Sequence, residues 1–440
     1  MKSLISLVKK IVKKEELVIQ TDEHRECLSL LEDSSANVFL TGKAGTGKST
    51  LIRYFREHTK KKVVVLAPTG LAALNVHGQT VHSFFRLPPR LIQKKDIRKV
   101  HNTSVYMNVD TIVIDEASML RSDMLDTIDT FLRINGRDKN KPFGGVQMVL
   151  VGDLYQLPPI VSMEEKEYFQ LTYETPYFFS ADSFPQAEFE LREFTTIFRQ
   201  KEVSFIELLN RIRRGDVSME DLLPINQRVT SGSTDGDHII LCPTNEAVNR
   251  INAGKLGLID SPVFMYEAIV EGIFPTEERT LPVETELRLK RGARVLFLKN
   301  DKAGRWVNGT LGNVYALSED SVQVRLDDTN EIVEVIPDQW ENIRYEYDEE
   351  KGTIEANCIG KLTQYPLRLA WAVTIHKSQG MSFDTVCIDY RRSPFAHGQT
   401  YVALSRCRTL QGILLTRPIY PNDITIDEHV VEFHRRIKRA

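Results

Sequence analysis

Short apolar runs punctuate the first part of the chain: NVFLTG (37–42), KVVVLAP (62–68), DTIVIDE (110–116) and VQMVLVGD (146–153). Stretches with a helical period separate them. Strands that are apolar on both faces belong to parallel sheets covered by helices, so the alternation predicts an α/β domain. A second series follows in DHIILCPT (237–244), LRLAWAVTIHKS (367–378), DTVCIDY (384–390) and GILLTR (412–417). A mainly helical stretch, from about Thr196 to Gly236, joins the two series. From about Pro282 to Tyr365 the texture changes. There ARVLFLKN, SVQVRL and EIVEVI alternate with Gly, Asn and Asp turns, the pattern of a small antiparallel barrel. The expected fold class is therefore α/β, with two domains and a β insert in the second. The boundaries read as 1–195 for the first domain, 196–281 with 361–440 for the second, and 282–360 for the insert.

A chain of 440 residues is too long for one core, which agrees with that division. Apolar residues make up 42% and charged residues 27%, ordinary for a globular protein. The five cysteines are scattered, with no paired spacing for zinc or a redox dithiol, and point to a reducing compartment. The lysine-interrupted N-terminus, MKSLISLVKKIVKKEELV, reads as a short amphipathic helix and not as a signal peptide. No run approaches a membrane span, so an intracellular, cytoplasmic location is expected. The formal net charge of −3 weighs against a nucleic-acid partner unless basic residues cluster locally.

The chemistry begins at Gly42-Lys-Ala-Gly-Thr-Gly-Lys-Ser49, a full G-x-x-x-x-G-K-[ST] pattern between an apolar run and a helical one. Gly42, Gly45, Thr46 and Gly47 let consecutive backbone N–H groups close around phosphate oxygens, and the helix starting near Thr50 adds positive potential. Lys48 is placed to bridge the β- and γ-phosphates of ATP, and the Ser49 hydroxyl to ligate Mg²⁺. Asp115, at the end of DTIVIDE, suits a Mg²⁺ contact, and Glu116 beside it suits a general base for the attacking water. VGDLYQLPP (151–159) offers Asp153 and Gln156, the latter for the γ-phosphate or that water. Arg199 in TIFRQ and Arg406 in YVALSRCR are candidates for transition-state charge, whereas Arg408 reads as a solvated surface arginine. These residues define a nucleotide hydrolase.

One more feature stands out. AVTIHKSQG (372–380) ends a core strand in hydroxyl, imidazole, ammonium and amide groups, where α/β proteins hold ligands. Taken in order with APTGLAALNVHGQTVHSFF (67–85), IDEASML (114–120), KPFGGVQMVLVGDLYQLPP (141–159) and AWAVTIHKSQGMSF (370–383), it makes a motif set. The set resembles that of superfamily 1 helicases of the B group, above all the Pif-type (petite integration frequency) DNA helicases, with RecD-like helicases next. The resemblance runs from about residue 20 to residue 417. It implies two RecA-like P-loop domains, an SH3-like β-barrel inserted in the second, and ATP-driven 5′-to-3′ movement on single-stranded DNA with unwinding at duplex junctions. G-quadruplex DNA and RNA–DNA hybrids join the expected substrates, and repair, recombination and telomere maintenance the expected processes. A monomer is expected when free. An RNA helicase of the same superfamily, or a nucleotide-gated switch without motor activity, are the alternatives.

By the same resemblance, Gln379 and Gly380 lie near the nucleotide, while Thr374 and His376 face a DNA phosphate. Pro68, Thr69 and Gly70 in the first domain, with Thr244 and Asn245 in the second, are matching strand-end loops for phosphate contacts. The stretch 77–99 interleaves His82, Phe84 and Phe85 with six basic residues, as a sequence-tolerant strand binder does. It lies in a small insertion near 77–108 that the resemblance marks as the wedge, with Leu87, Pro88, Pro89 and Arg90 at its tip. The acidic β insert is not expected to follow DNA, and Trp306, Asn308 and Gly309 are its weaker contact candidates. His24 stands roughly where this family carries an adenine-reading glutamine, with Gln20 nearby.

Overall fold

A computed structural model describes residues 21–437 apart from 89, 231–237, 276–280, 392–393 and 395. The N-terminal segment 1–20, with its expected amphipathic helix and Gln20, lies outside the described residues, as does Pro89. The apolar runs of the first half become the strands β1 (Val38–Gly42), β2 (Val63–Ala67), β4 (Thr111–Ile114) and β5 (Gln147–Val151). Two shorter or more polar strands, β3 (Gln79–Thr80) and β6 (Glu190–Phe194), complete one sheet in the order β3-β2-β4-β5-β1-β6. Every pairing in it is parallel.

Alternation within these strands feeds two cores. Val38, Leu40, Val65, Val113 and Val149 pack with Cys27 and Leu31 of α1 (Asp22–Asp33) and Leu51 and Phe55 of α2 (Lys48–His58). Phe39, Val64, Ile112, Ile114 and Leu150 form the other face, with Leu125, Ile128 and Leu132 of the later helix Ser122–Asn135. Burial of each such side chain stabilises the fold by roughly 1.5–3 kcal/mol, so a sheet apolar on both faces needs both helical layers.

The second lobe is a smaller parallel sheet of β7 (Ile239–Cys242), β18 (Ala372–Thr374), β19 (Val386–Ile388) and β20 (Ile413–Leu415), in the order β18-β7-β19-β20. Between β7 and β18 the chain runs through an antiparallel region. Its strands are β8 (Val263–Glu267), β9 (Ile269–Gly272), β10 (Glu286–Lys290), β11 (Arg294–Phe297), β12 (Leu311–Leu317), β13 (Val322–Leu326), β14 (Ile332–Val335), β15 (Asp338–Asp348), β16 (Thr353–Gln364) and β17 (Leu367–Leu369). β8 pairs with β10, β9 with β16 and β17 with β11, so the insert spans 263–369, wider than the 282–360 read from turn spacing. β8 and β9 escaped that reading because they are largely exposed and carry no clean alternation.

The long β15–β16 hairpin leaves the insert and packs against the first lobe. Ile343 and Tyr345 join the core that contains Phe39 and Phe84. The Val65 N–H donates to the Tyr345 hydroxyl at 3.3 Å.

Candidate active site

Four more helices flank the cleft between the lobes. α3 (Gly70–Asn75) and α6 (Asn245–Gly257) begin at the matching strand-end loops of the two lobes. α5 (Val203–Arg214) and α7 (Gln399–Leu404) cover the second sheet, and the helix Ser122–Asn135 named above is α4.

The loop after β1 turns through Gly45 (φ +80°) and Gly47 (φ +86°), left-handed conformations that favour glycine. A Cβ at Gly45 would lie 2.5 Å from the Cβ of Arg199, so the loop and the chain leading to the second lobe touch directly. The Lys48 ammonium donates to the carbonyls of Gly42 (2.7 Å) and Lys43 (3.0 Å), across the mouth of the loop. Thr46 is buried with its hydroxyl on the Lys43 carbonyl, so it can serve phosphate only through its backbone. The Ala44 N–H donates to the Tyr401 hydroxyl of the second lobe at 3.1 Å. His24 sits behind the loop. Its Nε2 meets the Thr46 carbonyl at 3.2 Å and its Nδ1 pairs with the Thr21 hydroxyl, so both ring nitrogens are engaged within the protein.

Asp115 follows directly on β4, buried, with the Ser49 hydroxyl against its carboxylate. Burial raises its pKa. Glu116 follows with φ +52°, a strained conformation for a non-glycine residue and one that clusters at functional sites. Burial first, and then the Asp115 carboxylate, push the Glu116 carboxyl up to about 7. A carboxyl poised there is suited to general-base work near neutral pH.

Two arginines of the sequence reading reach the same cleft. Arg406 is 2% exposed, held through its guanidinium by the carbonyls of Val402 (3.0 Å) and Ser378 (3.4 Å) and the Ser405 hydroxyl (2.9 Å). Burial, then the neighbouring Arg199, push its pKa down to about 9, while Glu116 and Asp153 act in the opposite sense. Burial lowers Arg199 and Lys48 as well. Arg408 instead pairs with Asp384 at the surface, as read from the sequence.

Sequence reasoning missed a third arginine. Arg213 of α5 is buried, with its guanidinium 2.7 Å from the Asp153 carboxylate and 4.2 Å over the Tyr155 ring. Asp153 in turn accepts from the Tyr155 N–H (3.2 Å), and its carbonyl accepts from the Gln156 N–H (2.9 Å). The helical spacing held a signal: Arg213 lies four residues after Leu209, on the face that buries Phe205, Leu208 and Ile212.

The nucleic-acid candidates divide. Thr69 and Thr244 are the N-caps of α3 and α6, each accepting from the N–H three residues on, so the loops of Pro68, Thr69, Gly70 and of Thr244, Asn245 have matching geometry. Thr374 caps its own turn by accepting from the Lys377 N–H, with His376 half-buried beside it. Gln379 lines an interlobe groove of about 700 Å³ together with Arg56, Lys299, Lys302, Trp340 and Lys377. Ser378 of the same loop meets Arg406 through its carbonyl at 3.4 Å. Gly380 is exposed, with open space around it. The insert contributes Lys299 and Lys302 to this groove together with Asp338 and Glu341, and Lys299 is paired with Asp338 at 3.3 Å.

The aromatic platform is overturned. Phe84 is 4% exposed and packs edge-on against Phe85 (4.9 Å) and Tyr106 (5.3 Å), so it cannot stack on a base. His82 is half-buried on the same turn. Leu87, expected at the wedge tip, is 6% exposed, and Arg90 is bound to Asp96 at 2.8 Å. Pro88 is half-buried. Apolar side chains here went to the core, the usual outcome for aromatics beside a solvated basic face.

A family model described as PIF1-like helicase matches residues 21–222. The ATP-dependent DNA helicase Pif1 of Bdellovibrio bacteriovorus is 32% identical over 94% of this chain and 92% of its own length. Bacteroides sp Pif1 in complex with ADP-AlF4 superposes with a TM-score of 0.86 at 38% identity, covering 95% of this chain and 97% of that one. The Bacteroides Pif1 bound to ssDNA superposes less closely, at 0.69 with 37% identity over 95% and 97%. No described helix is long and apolar enough to cross a membrane.

Proposed function

The chain belongs to the PIF1-like helicase family, and from that premise we propose how its residues run an ATP-dependent DNA helicase. The observation that carries the assignment is the meeting of the two lobes at one cleft: Lys48 lies across the phosphate loop beside Asp115, Glu116 and Asp153, and Arg406, with its neighbour Arg199, approaches Glu116 and Asp153 from the second lobe. Arg199 and Arg406 are like charges held together out of water, which is costly, and a terminal phosphate between the lobes would compensate both. Lys48 and the N–H groups of the loop hold the phosphates. Ser49 and Asp115, a hydroxyl and a carboxylate in contact, are hard oxygen donors that fit Mg²⁺ with phosphate oxygens and water completing its shell. Bound there, Mg²⁺ would neutralise charge on the β- and γ-oxygens. Glu116 takes a proton from the attacking water, Gln156 orients that water, and Arg199 and Arg406 stabilise charge as the terminal phosphoryl group departs. Closure of the lobes on ATP, and release on hydrolysis, alternate the grip of the two strand-end loops on a strand.

For the strand, support comes from the paired capping threonines, from the half-buried His376 and from the cations of the groove, whereas Thr374, buried and capping its own turn, does not add to it. Phosphate contacts of this kind position nucleic acid without reading its sequence. Movement from 5′ to 3′ follows from the family alone. Unwinding of duplexes that carry either a 5′ or a 3′ tail, with Lys48→Ala as control, tests the assignment. Activity confined to the 5′ tail and lost in the control is expected; activity from the 3′ tail would overturn the polarity. A G-quadruplex placed behind the same 5′ tail tests that wider substrate.

Gln379 belongs to the same scheme. Its amide nitrogen is buried without a hydrogen-bond partner among the described residues, and it follows in the chain directly on Ser378, whose carbonyl meets Arg406. Gln379→Ala is expected to lower DNA-stimulated ATP hydrolysis while leaving nucleotide affinity nearly unchanged. Equal loss of both, measured by steady-state hydrolysis and nucleotide titration, would remove it from the coupling.

A further inference from the structure

We infer that the C-terminal helix α8 (Glu428–Ile437) is a positioning element of the hydrolytic site, acting through Tyr155 on the turn that carries Gln156. The inference rests on the role proposed above for Gln156.

α8 follows the last strand of the second lobe, yet its apolar face lies in the core of the first. Val430 is 1% exposed, and the Phe433 ring stacks on Phe179 with centroids 4.2 Å apart and planes 12° from parallel. Phe184 and Phe39 of β1 flank it at 5.7 and 6.2 Å. The chain leading into α8 remains tied to the second lobe. The Thr400 hydroxyl donates to the Asp423 carbonyl at 2.6 Å, and the Gly398 N–H to the Thr425 carbonyl at 3.0 Å. The chain here thus crosses from one lobe to the other, bonded to the second before α8 begins and packed on the first along the helix.

His434 follows Phe433 and points its ring at Tyr155, 4.9 Å away and tilted by 48°. Arg213 of the second lobe covers the same ring at 4.2 Å while it holds the Asp153 carboxylate. Gly398 closes the cradle: a Cβ there would come within 2.2 Å of the Tyr155 carbonyl and 2.6 Å of the Gln156 carbonyl. The turn 153–156 is therefore pressed by three groups that belong to the second lobe or to its C-terminal extension. Gln156 reaches its position only when all three are in register, which makes hydrolysis sensitive to the arrangement of the lobes.

The ring of His434 acts by packing. Its Nδ1 meets the Val430 carbonyl at 3.1 Å, and its Nε2 is buried without a hydrogen-bond partner among the described residues. A charge on the ring would face Arg213 and, in the opposite sense, Asp153 and Glu193.

The test compares His434→Ala, His434→Phe, Tyr155→Leu and Gln156→Ala in the full chain. The readouts are kcat and KM for ATP with saturating single-stranded DNA, and thermal unfolding. His434→Ala and Tyr155→Leu are each expected to lower kcat about tenfold, the scale of sub-ångström misplacement, with KM for ATP within about twofold. His434→Phe, which keeps the ring and removes the unpaired nitrogen, is expected to restore kcat. If His434→Ala lowers only the unfolding temperature, or if a folded His434→Phe fails to restore kcat, α8 is structural and the inference falls. If Gln156→Ala itself leaves kcat unchanged, the Gln156 assignment falls first and this inference with it. Should His434→Ala not fold, Tyr155→Leu decides alone.

Discussion

Replacing Arg406 by alanine is expected to lower DNA-stimulated ATP hydrolysis by about 10³–10⁵, the range for arginines that meet the transferring phosphoryl group. Nucleotide affinity should change far less, because the proposed scheme gives the phosphates to Lys48 and the glycine loop of the first lobe. The fold should survive. Arg406 is buried beside Arg199 with carbonyl and hydroxyl acceptors but no carboxylate among its hydrogen-bond partners, so its removal relieves repulsion even as it leaves a cavity. Lysine is not expected to rescue. It lacks the planar fork that spans Val402, Ser378 and Ser405 at once, and a lysine ammonium loses its proton more readily than a guanidinium under the same burial. The comparison is steady-state hydrolysis of the wild type, Arg406→Ala and Arg406→Lys, beside ADP titration and thermal unfolding. A folded Arg406→Ala variant that keeps more than about a tenth of the wild-type rate would sink the assignment of this arginine to the terminal phosphate, by the same scale.

The contrast between Arg406 and Phe84 shows which parts of the molecule were legible in the chain. Arg406, Lys48, Asp115 and Glu116 stand in short motifs whose geometry is local: a strand end, a tight loop, the first turn of a helix. The strands around them read correctly for the same reason, since VVVLA and TIVI must be buried on both faces wherever they fold. Phe84 and Leu87 sit in a stretch whose composition fits either a stacking platform or a solvated basic rim. Only the distant Tyr106 and Phe131 decide between them, by closing an aromatic cluster over that turn. Arg213 and His434 were hidden in another way. Each lies at a helical spacing from buried residues, Leu209 and Val430, but the partner that gives it meaning is Asp153 or Tyr155, far along the chain. Periodicity can mark such a residue as facing inward. It cannot say what it faces.

Glu116→Gln should reduce hydrolysis by about 10²–10⁴ while nucleotide still binds, the usual contribution of a general base. Its carboxyl is pushed up to about 7 by burial and by Asp115, from an ordinary value of 4.5. A protonated carboxyl cannot accept the proton of the attacking water, so kcat/KM for ATP is expected to be level above pH 7 and to fall about tenfold per unit below it, reporting the free enzyme. The same shift acts on stability with a defined sign. Between 4.5 and about 7 the folded chain binds a proton that the unfolded chain releases, so this group favours folding at low pH and loses that contribution as pH rises through 7. Glutamine imitates the protonated form. The Glu116→Gln variant is therefore expected to unfold at a higher temperature than the wild type at pH 8, with the difference shrinking toward pH 5. If Glu116 is the base proposed above, stability and catalysis oppose each other at this position, because its carboxylate must then be ionised while desolvated and close to Asp115, which weakens the fold. Equal unfolding temperatures at pH 8 together with a level kcat/KM down to pH 6 would mean that Glu116 ionises like a surface acid, and the base would have to be sought elsewhere in the cleft.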